Sequence, residues 1–556
     1  MAAVAEVAAA AAVAVAAVAP EAEADQAETD KKDIHIQKIS HMKKLYFTLI
    51  SIIGLTYLTS AQYVDNALLF SQQNYGSTAR SKAMGNAFGA LGGDFGSLSI
   101  NPAGIGIYQR GEVSSTLSIV NSNSTESTYQ GYSYKENNNN FNFKNLGYVS
   151  VIPGLANNAG IVSFNFGIGY NRLANFNQNS FVGSESSSYS RMDAFAQQTN
   201  GINYNDLSST TGYDPYQNGI PWESKLAWEN YLIDVTNAST GGNQYSTFLL
   251  ANENVKQRES ASKEGFLNEY IATFGANFSH TLYLGATVGM QDLYYDEAKM
   301  YSEIGLDEPG TNLKSWGSYD YTNNSRTTGV GYNLKLGAIY RPIPVLRIGV
   351  ALHTPTFFHI KETYSSSMKS TLSGISTDAN GNHSDASPIG NFEYNFQTPL
   401  RAIGSIAYQF GKKAMFSLDY EFVNYSSSKY SKGQGGDNFS VENGDIKSVY
   451  KSVGNLRVGA EYRLTEAFSL RGGMEFLGNP YNGSAYGVSQ PNMDYKFKTY
   501  NGGFGYRSGK YSIDMTYSMG DKTNFMYLYK VDGVTVDPVK YHSLTSELLF
   551  TIAMRM

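Results

Sequence analysis

From Val113 onward the chain repeats one pattern that leaves few folds open: large apolar residues alternate with small or charged ones at period two, in segments of about 8 to 13 residues. Between Ile161 and Tyr170, the side chains of Val162, Phe164, Phe166, Ile168 and Tyr170 fall on one side, and Ser163, Asn165, Gly167 and Gly169 on the other. Successive side chains of a strand point to opposite faces, so each segment reads as a strand with one apolar face. The pattern returns in Tyr332 to Tyr340 against Asn333, Lys335 and Gly337, and in Leu346 to Leu352 against Arg347, Gly349 and His353. It continues in Phe416 to Phe422 against Asp419 and Glu421, in Leu456 to Leu464 against Arg457, Glu461 and Arg463, and in Phe468 to Phe476 against Arg471 and Glu475. Leu548 to Met556 closes the chain in the same way.

About fourteen such segments lie between Val113 and Met556, joined alternately by short and long connections, which is the signature of a membrane β-barrel. Short turns are expected at Ser279-His280-Thr281, Arg341-Pro342-Ile343-Pro344, Gly411-Lys412-Lys413 and Ser508-Gly509-Lys510. The long connections are residues 174–266, the largest, then 293–328, 354–391, 425–451 and 478–494, rich in Ser, Asn, Tyr and Gly as extracellular loops are. In the largest, Trp222 to Val235 is patterned as an amphipathic helix, forming either an external apolar patch or ordinary loop packing. A Lys or Arg on the lipid side at mid-membrane costs roughly 2–4 kcal/mol, so in a barrel the charged face looks inward. A soluble sandwich carries the same alternation with its apolar face inside, and periodicity alone leaves that choice open. The loop asymmetry and the leader described next favour the membrane barrel.

Of the 556 residues only 16% are charged, with 55 Gly, 43 Tyr and 29 Phe, a composition that suits one long β structure rather than several domains. A net charge of -6 without a basic block after the leader gives no case for nucleic acid. The absence of Cys excludes disulfides and thiolate metal sites. Residues 1–41 read as a low-complexity extension of Ala, Val and acidic residues that is not native. Met42-Lys43-Lys44, the apolar run from Leu45 to Leu58 and Thr59-Ser60-Ala61 form the three parts of a secretory signal over 42–61, with cleavage expected after Ala61.

Residues 62–111 precede the strands of 112–556. Within them, Gly76 to Tyr108 crowds small residues together and ends in Asn101-Pro102-Ala103-Gly104. Each interior Gly costs a free helix about 1 kcal/mol, and Asn-Pro sets a turn, so this stretch needs walls supplied from elsewhere and reads as a plug. Of the His residues beyond the leader, His280, His353, His359, His383 and His542 are scattered and none sits in a catalytic motif. No catalytic residue, metal site or cofactor is therefore expected. The inward Lys335, Arg347, Arg457, Arg463 and Arg471 are candidate lumen charges for a carboxylate head group, while Asp419, Glu461 and Glu475 on the same face point to mutual pairing.

The leader, the small-residue stretch closing in Asn101-Pro102-Ala103-Gly104 and the train of strands together resemble the FadL/TodX-type outer-membrane transport family, especially its Bacteroidetes-like members. So do the phrases Thr398-Pro399, Ala407 to Gly411, Ser417 to Tyr420 and Asn455 to Arg463. The resemblance implies an all-β transmembrane antiparallel barrel of about fourteen strands in the bacterial outer membrane, with an N-terminal hatch inside the lumen. It implies a non-enzymatic channel that imports hydrophobic small molecules, long-chain fatty acids or similar, with the tetrad as the gating motif. It also implies a sideways exit at a kink in the third strand, where Gly167 and Gly169 are the candidates. The expected partners are the hydrophobic cargo and outer-membrane lipid, with a monomer as the expected state. An outer-membrane porin or a surface adhesin is the alternative, with an outer-membrane enzyme behind both.

Overall fold

The computed structural model describes residues 57–556 apart from 76–77, 155–159, 211–212, 238–242, 250–252, 308–314, 374–380, 434–437 and 484–494. The leader expectations over 1–41 and 42–61 lie outside the described residues, except for the last residues of the second, which fall in a helix, α1, Tyr57–Ser71.

Fourteen antiparallel staves close into a barrel. The first three are Glu112–Tyr129 (β1), Tyr132–Pro153 (β2) and a stave in two pieces, Ile161–Asn175 (β3) and Gln178–Ser187 (β4). Val255–Phe278, Leu282–Gly305, Gly317–Ile343, Leu346–His353, Arg401–Phe410 and Ala414–Asn424 follow. Ser452–Arg463, Phe468–Leu477, Lys496–Ser508, Tyr511–Met526 and Val539–Arg555 complete the wall. Closure is made by β1 on the last stave, with Val113 opposite Met554 and Ile119 opposite Leu548, so no edge is left open there.

The alternation reads in one direction. Phe164 is 50% exposed and Asn165 3%, Leu336 47% and Lys335 2%, Tyr420 52% and Glu421 0%. The apolar face looks outward and the charged face into the lumen, the inverse of a soluble sandwich and the arrangement a bilayer requires. Among the described residues no helix is long and apolar enough to cross a membrane.

Most of the tight turns gather at one end, where Ser279, His280, Gly411 and Gly509 take positive φ, while Gln130-Gly131 turns β1 into β2 at the other. Short turns are periplasmic in outer-membrane barrels, which places the long connections outside the cell. Those connections are shorter than the sequence implies. Residues 293–328 are mostly strand, because Leu282–Gly305 and Gly317–Ile343 run on for 24 and 27 residues and leave only a short link between them. About 9–11 residues suffice to cross a bilayer, so the remainder stands above it as a polar ribbon. Residues 354–391 likewise hold the strand Phe357–Leu372, which pairs with the upper half of Gly317–Ile343. The helix expected from Trp222 forms over Trp222–Glu229, and Leu226, Leu232 and Ile233 are buried with Met192, Phe195 and Tyr319 in a core of their own. The apolar face thus packs within the loops.

Candidate functional site

The hatch is assembled by a chain of caps. Thr78 caps a short helix, α2, Ala79–Ala83, and its hydroxyl donates to both oxygens of Asp94 at 2.7 and 2.8 Å. Asp94 in turn accepts from the Gly96 N–H at 2.9 Å and starts the 3-10 turn Phe95–Ser99. Asn101 starts the next, Pro102–Ile107, accepting from the Ala103 N–H at 3.1 Å, with Pro102 at the first position where no N–H is needed. The Asn101 amide donates across to Gly89 O at 2.7 Å and to Ala338 O of the wall at 3.3 Å.

Glycines on the inner face of the wall make room for this plug. A Cβ at Gly337 would fall on Asn101, and one at Gly285 on the backbone of Pro102. The same holds for Gly349 against Gly89, and for Gly459 and Gly473 against Met84. The tetrad therefore lies on the staves Leu282–Gly305 and Gly317–Ile343, and Gly104 packs on Gly92 within the hatch. Gly167 and Gly169 belong to the same belt. A Cβ on Gly169 would strike Phe95, and one on Gly167 would crowd Ile105. Both are paired on each side, to β2 and to Val255–Phe278.

Polar contacts fasten the hatch to the wall. Arg80 meets Glu461 at 3.0 Å and Lys82 meets Glu475 at 2.9 Å. Asp419 accepts from the Gly89 N–H at 2.8 Å, and His353 Nε2 lies 2.9 Å from Ile100 O. Above them Glu421 gathers the Tyr75 hydroxyl at 2.8 Å, Arg401 at 2.7 Å and Arg457. Of the lumen cations read from the sequence, Lys335 is paired with Glu269 at 2.6 Å, Arg457 with Glu421, and Arg471 with Glu461 at 2.7 Å and Asp514 at 2.6 Å. Arg347 donates to Leu91 O at 2.6 Å, and Arg463 stands exposed beside a periplasmic turn. The structure does not bring the five together. Among the described residues no group of three or more His, Cys, Asp or Glu side chains is placed to hold a metal ion.

The upper lumen is different. α1 lies there with Val64, Ala67, Leu68 and Phe70 buried among Leu173, Phe176, Tyr295, Phe396 and Tyr430. Phe70 stands edge-on to Tyr295 at 5.9 Å and to Phe176 at 6.3 Å, and Tyr63 meets Tyr394 at 5.6 Å and Tyr430 at 5.4 Å. Sequence reading missed this helix because it overlaps the leader. The signal was Val64, Ala67, Leu68 and Ser71, spaced three and four apart. Beside α1 is a cavity of about 390 Å³ with a mixed lining, in which Leu69, Leu173, Ala174 and Phe176 stand with Lys144, Lys263 and Lys522.

That cavity reaches the break in the third stave. β3 ends at Asn175 and β4 resumes at Gln178, paired to Val255–Phe278 alone. The β2–β3 ladder stops at Asn145 opposite Asn171, and among the described residues Tyr132–Lys144 of β2 has no backbone partner on that side. Side chains bridge the resulting seam: Arg172 and Asn175 each donate to Asn142 Oδ1 at 3.0 Å, and Asn177 donates to Asn140 Oδ1 at 3.3 Å. Phe141 and Leu146 flank it on the lipid side.

No curated protein matches this sequence. Among solved structures, the chain is similar to a Pseudomonas aeruginosa FadL homologue, 13% identical, with 86% of this chain and 97% of that one covered and a TM-score of 0.47. It is also similar to the Pseudomonas putida toluene transporter TodX, 12% identical over 87% of this chain and 99% of that one, TM-score 0.45. The family profile described as outer membrane protein transport protein (OMPP1/FadL/TodX) matches residues 279–530, a stretch that runs from the tight turn at Ser279 through nine complete staves. The chain is an outer-membrane β-barrel whose residues 279–530 match the OMPP1/FadL/TodX family of transport proteins.

Proposed function

We propose that the protein imports hydrophobic small molecules, with long-chain fatty acids as the leading class, and releases them sideways through the seam between β2 and the third stave. The observation that carries this reading is the continuity of an aromatic chamber, a cavity and a gap in the backbone ladder at Leu173 to Gln178. A cargo entering from outside displaces α1 from the rings of Phe176 and Tyr295 and exchanges one apolar contact for another. Leaving through the lumen would re-expose each CH₂ to water at about 0.8 kcal/mol, and it would require the hatch to abandon its ion pairs. A sideways exit avoids both costs. The seam is held by side chains, the amides of Asn140, Asn142, Asn175 and Asn177, the Arg172 guanidinium and the Tyr134–Phe181 ring contact, which part without breaking a strand ladder, and the buried hatch weighs against an open porin.

The test is mass spectrometry of lipophilic material that co-purifies with the detergent-extracted protein, compared with Ala174→Trp, which fills the cavity. Fatty acids enriched in the native protein and lost in the variant support the reading. The same bulk membrane lipid from both proteins contradicts it.

A further inference from the structure

A second cavity, of about 500 Å³, lies under the hatch at the tight-turn end, and its lining carries Arg80, Arg110, Arg347, Arg463, Lys510 and Arg555 with no acidic residue among them. Two of the six have carboxylate partners, Arg80 in Glu461 at 3.0 Å and Arg555 in Glu112 at 3.2 Å. Arg347 spends its Nη1 on Leu91 O. The side chains of Arg110, Arg463 and Lys510 make no hydrogen bond or ion pair among the described residues, and all three are exposed. Arg507 adds its charge nearby, within electrostatic reach of Arg555, Arg80 and Arg463. Cations that converge on a concave wall repel one another and focus a positive field into the space between them. On the sideways route proposed above, the cargo leaves above the hatch and does not pass this lining. Its size is that of a small-molecule site, and guanidinium groups pair with phosphate oxygens in two-point contacts.

We propose that this periplasmic vestibule is a binding site for a ligand with clustered anionic oxygens of the phosphate class. Arg110, Arg463 and Lys510 are its free contacts, and Arg80 ties it to the hatch. Four of its cations, counting Arg347, lack a carboxylate, which calls for more than one negative charge. The ligand has two possible sources, a free phosphate of the periplasm or a phospholipid headgroup from the inner leaflet.

The experiment is calorimetric titration of the full chain in non-ionic detergent at low salt, with pyrophosphate in one arm and a short-chain phosphatidylglycerol in the other. It is repeated on an Arg110→Gln, Arg463→Gln, Lys510→Gln triple variant and on a Lys412→Gln, Lys413→Gln control, whose cations are exposed at the same end but outside the cavity. Saturable binding that weakens at least tenfold in the triple variant and is unchanged in the control is the expected result. Within it, tighter binding of pyrophosphate assigns the site to a free phosphate, and tighter binding of the lipid assigns it to a headgroup. Absence of saturable binding in both arms, equal binding by the triple variant, or an equal loss in the control overturns the proposal.

Discussion

The lower and upper halves of the lumen hold their contents by different forces. Below, the hatch is gripped by buried ion pairs and hydrogen bonds to its own backbone, such as Arg80 with Glu461 and Asp419 with the Gly89 N–H. Above, α1 is held chiefly by apolar and ring contacts around Phe70 and Tyr63, supplemented by the Tyr430 and Tyr450 hydroxyls, which donate to Tyr63 O and Val64 O at 2.8 Å, and by Arg401, which donates to Ser71 O. A buried ion pair demands its particular partner, because removing one member leaves an uncompensated charge. A cluster of rings accepts any apolar body of similar shape. On the proposed sideways route the hatch is the fixture and α1 the part that yields.

The largest effect is expected where the grip is ionic. Glu421→Ala strands Arg401 and Arg457 together inside the wall and should cost about 3–5 kcal/mol, read as a lowered midpoint of denaturant-induced unfolding. In the upper half, Leu68→Ala should cost about 2 kcal/mol, at the low end for a buried Leu, because the neighbouring cavity already interrupts the packing. Hydrogen exchange should localise that loss to α1 and leave the hatch protected. If the hatch loosens equally, the two halves are one unit and the contrast fails. Asn101→Ala removes the cap of Pro102–Ile107 and should cost about 1 kcal/mol in the same unfolding measurement. Smallest in stability is Asn142→Ala, which deletes two seam hydrogen bonds and should cost about 1 kcal/mol or less while speeding the release of a bound fatty acid, followed by stopped-flow fluorescence.

The barrel was legible because a membrane wall repeats one instruction, apolar out and polar in, and Phe416 to Phe422 or Leu456 to Leu464 state it residue by residue. The direction of the faces was not in the periodicity. It emerges only where Glu421 and Arg457 are found enclosed and Tyr420 in the open. The strands above the bilayer were hidden for a related reason: Ser325 to Thr328 and Ser365 to Ser367 pair as strand without touching lipid, so no apolar residue marks them. Inward glycines such as Gly337 and Gly349 did appear in the sequence, but only the fold reveals that they form a seat for the hatch. The break at Phe176 and Asn177 carries neither Gly nor Pro, whereas a Cβ on Gly167 or Gly169 would meet Ile105 or Phe95 of the hatch. Partners such as Lys335 and Glu269 come from different staves, and their pairing depends on a register that a single strand does not disclose.

The most direct test of the sideways route is a reversible staple across the seam. The native chain contains no Cys, so Asn140→Cys with Asn177→Cys introduces one disulfide at a place where the native amides meet at 3.3 Å. Uptake of a labelled long-chain fatty acid into cells carrying this variant should stop on oxidation and return on reduction, with barrel assembly unchanged. Uptake that continues at the native rate through an oxidised, closed seam would contradict the account.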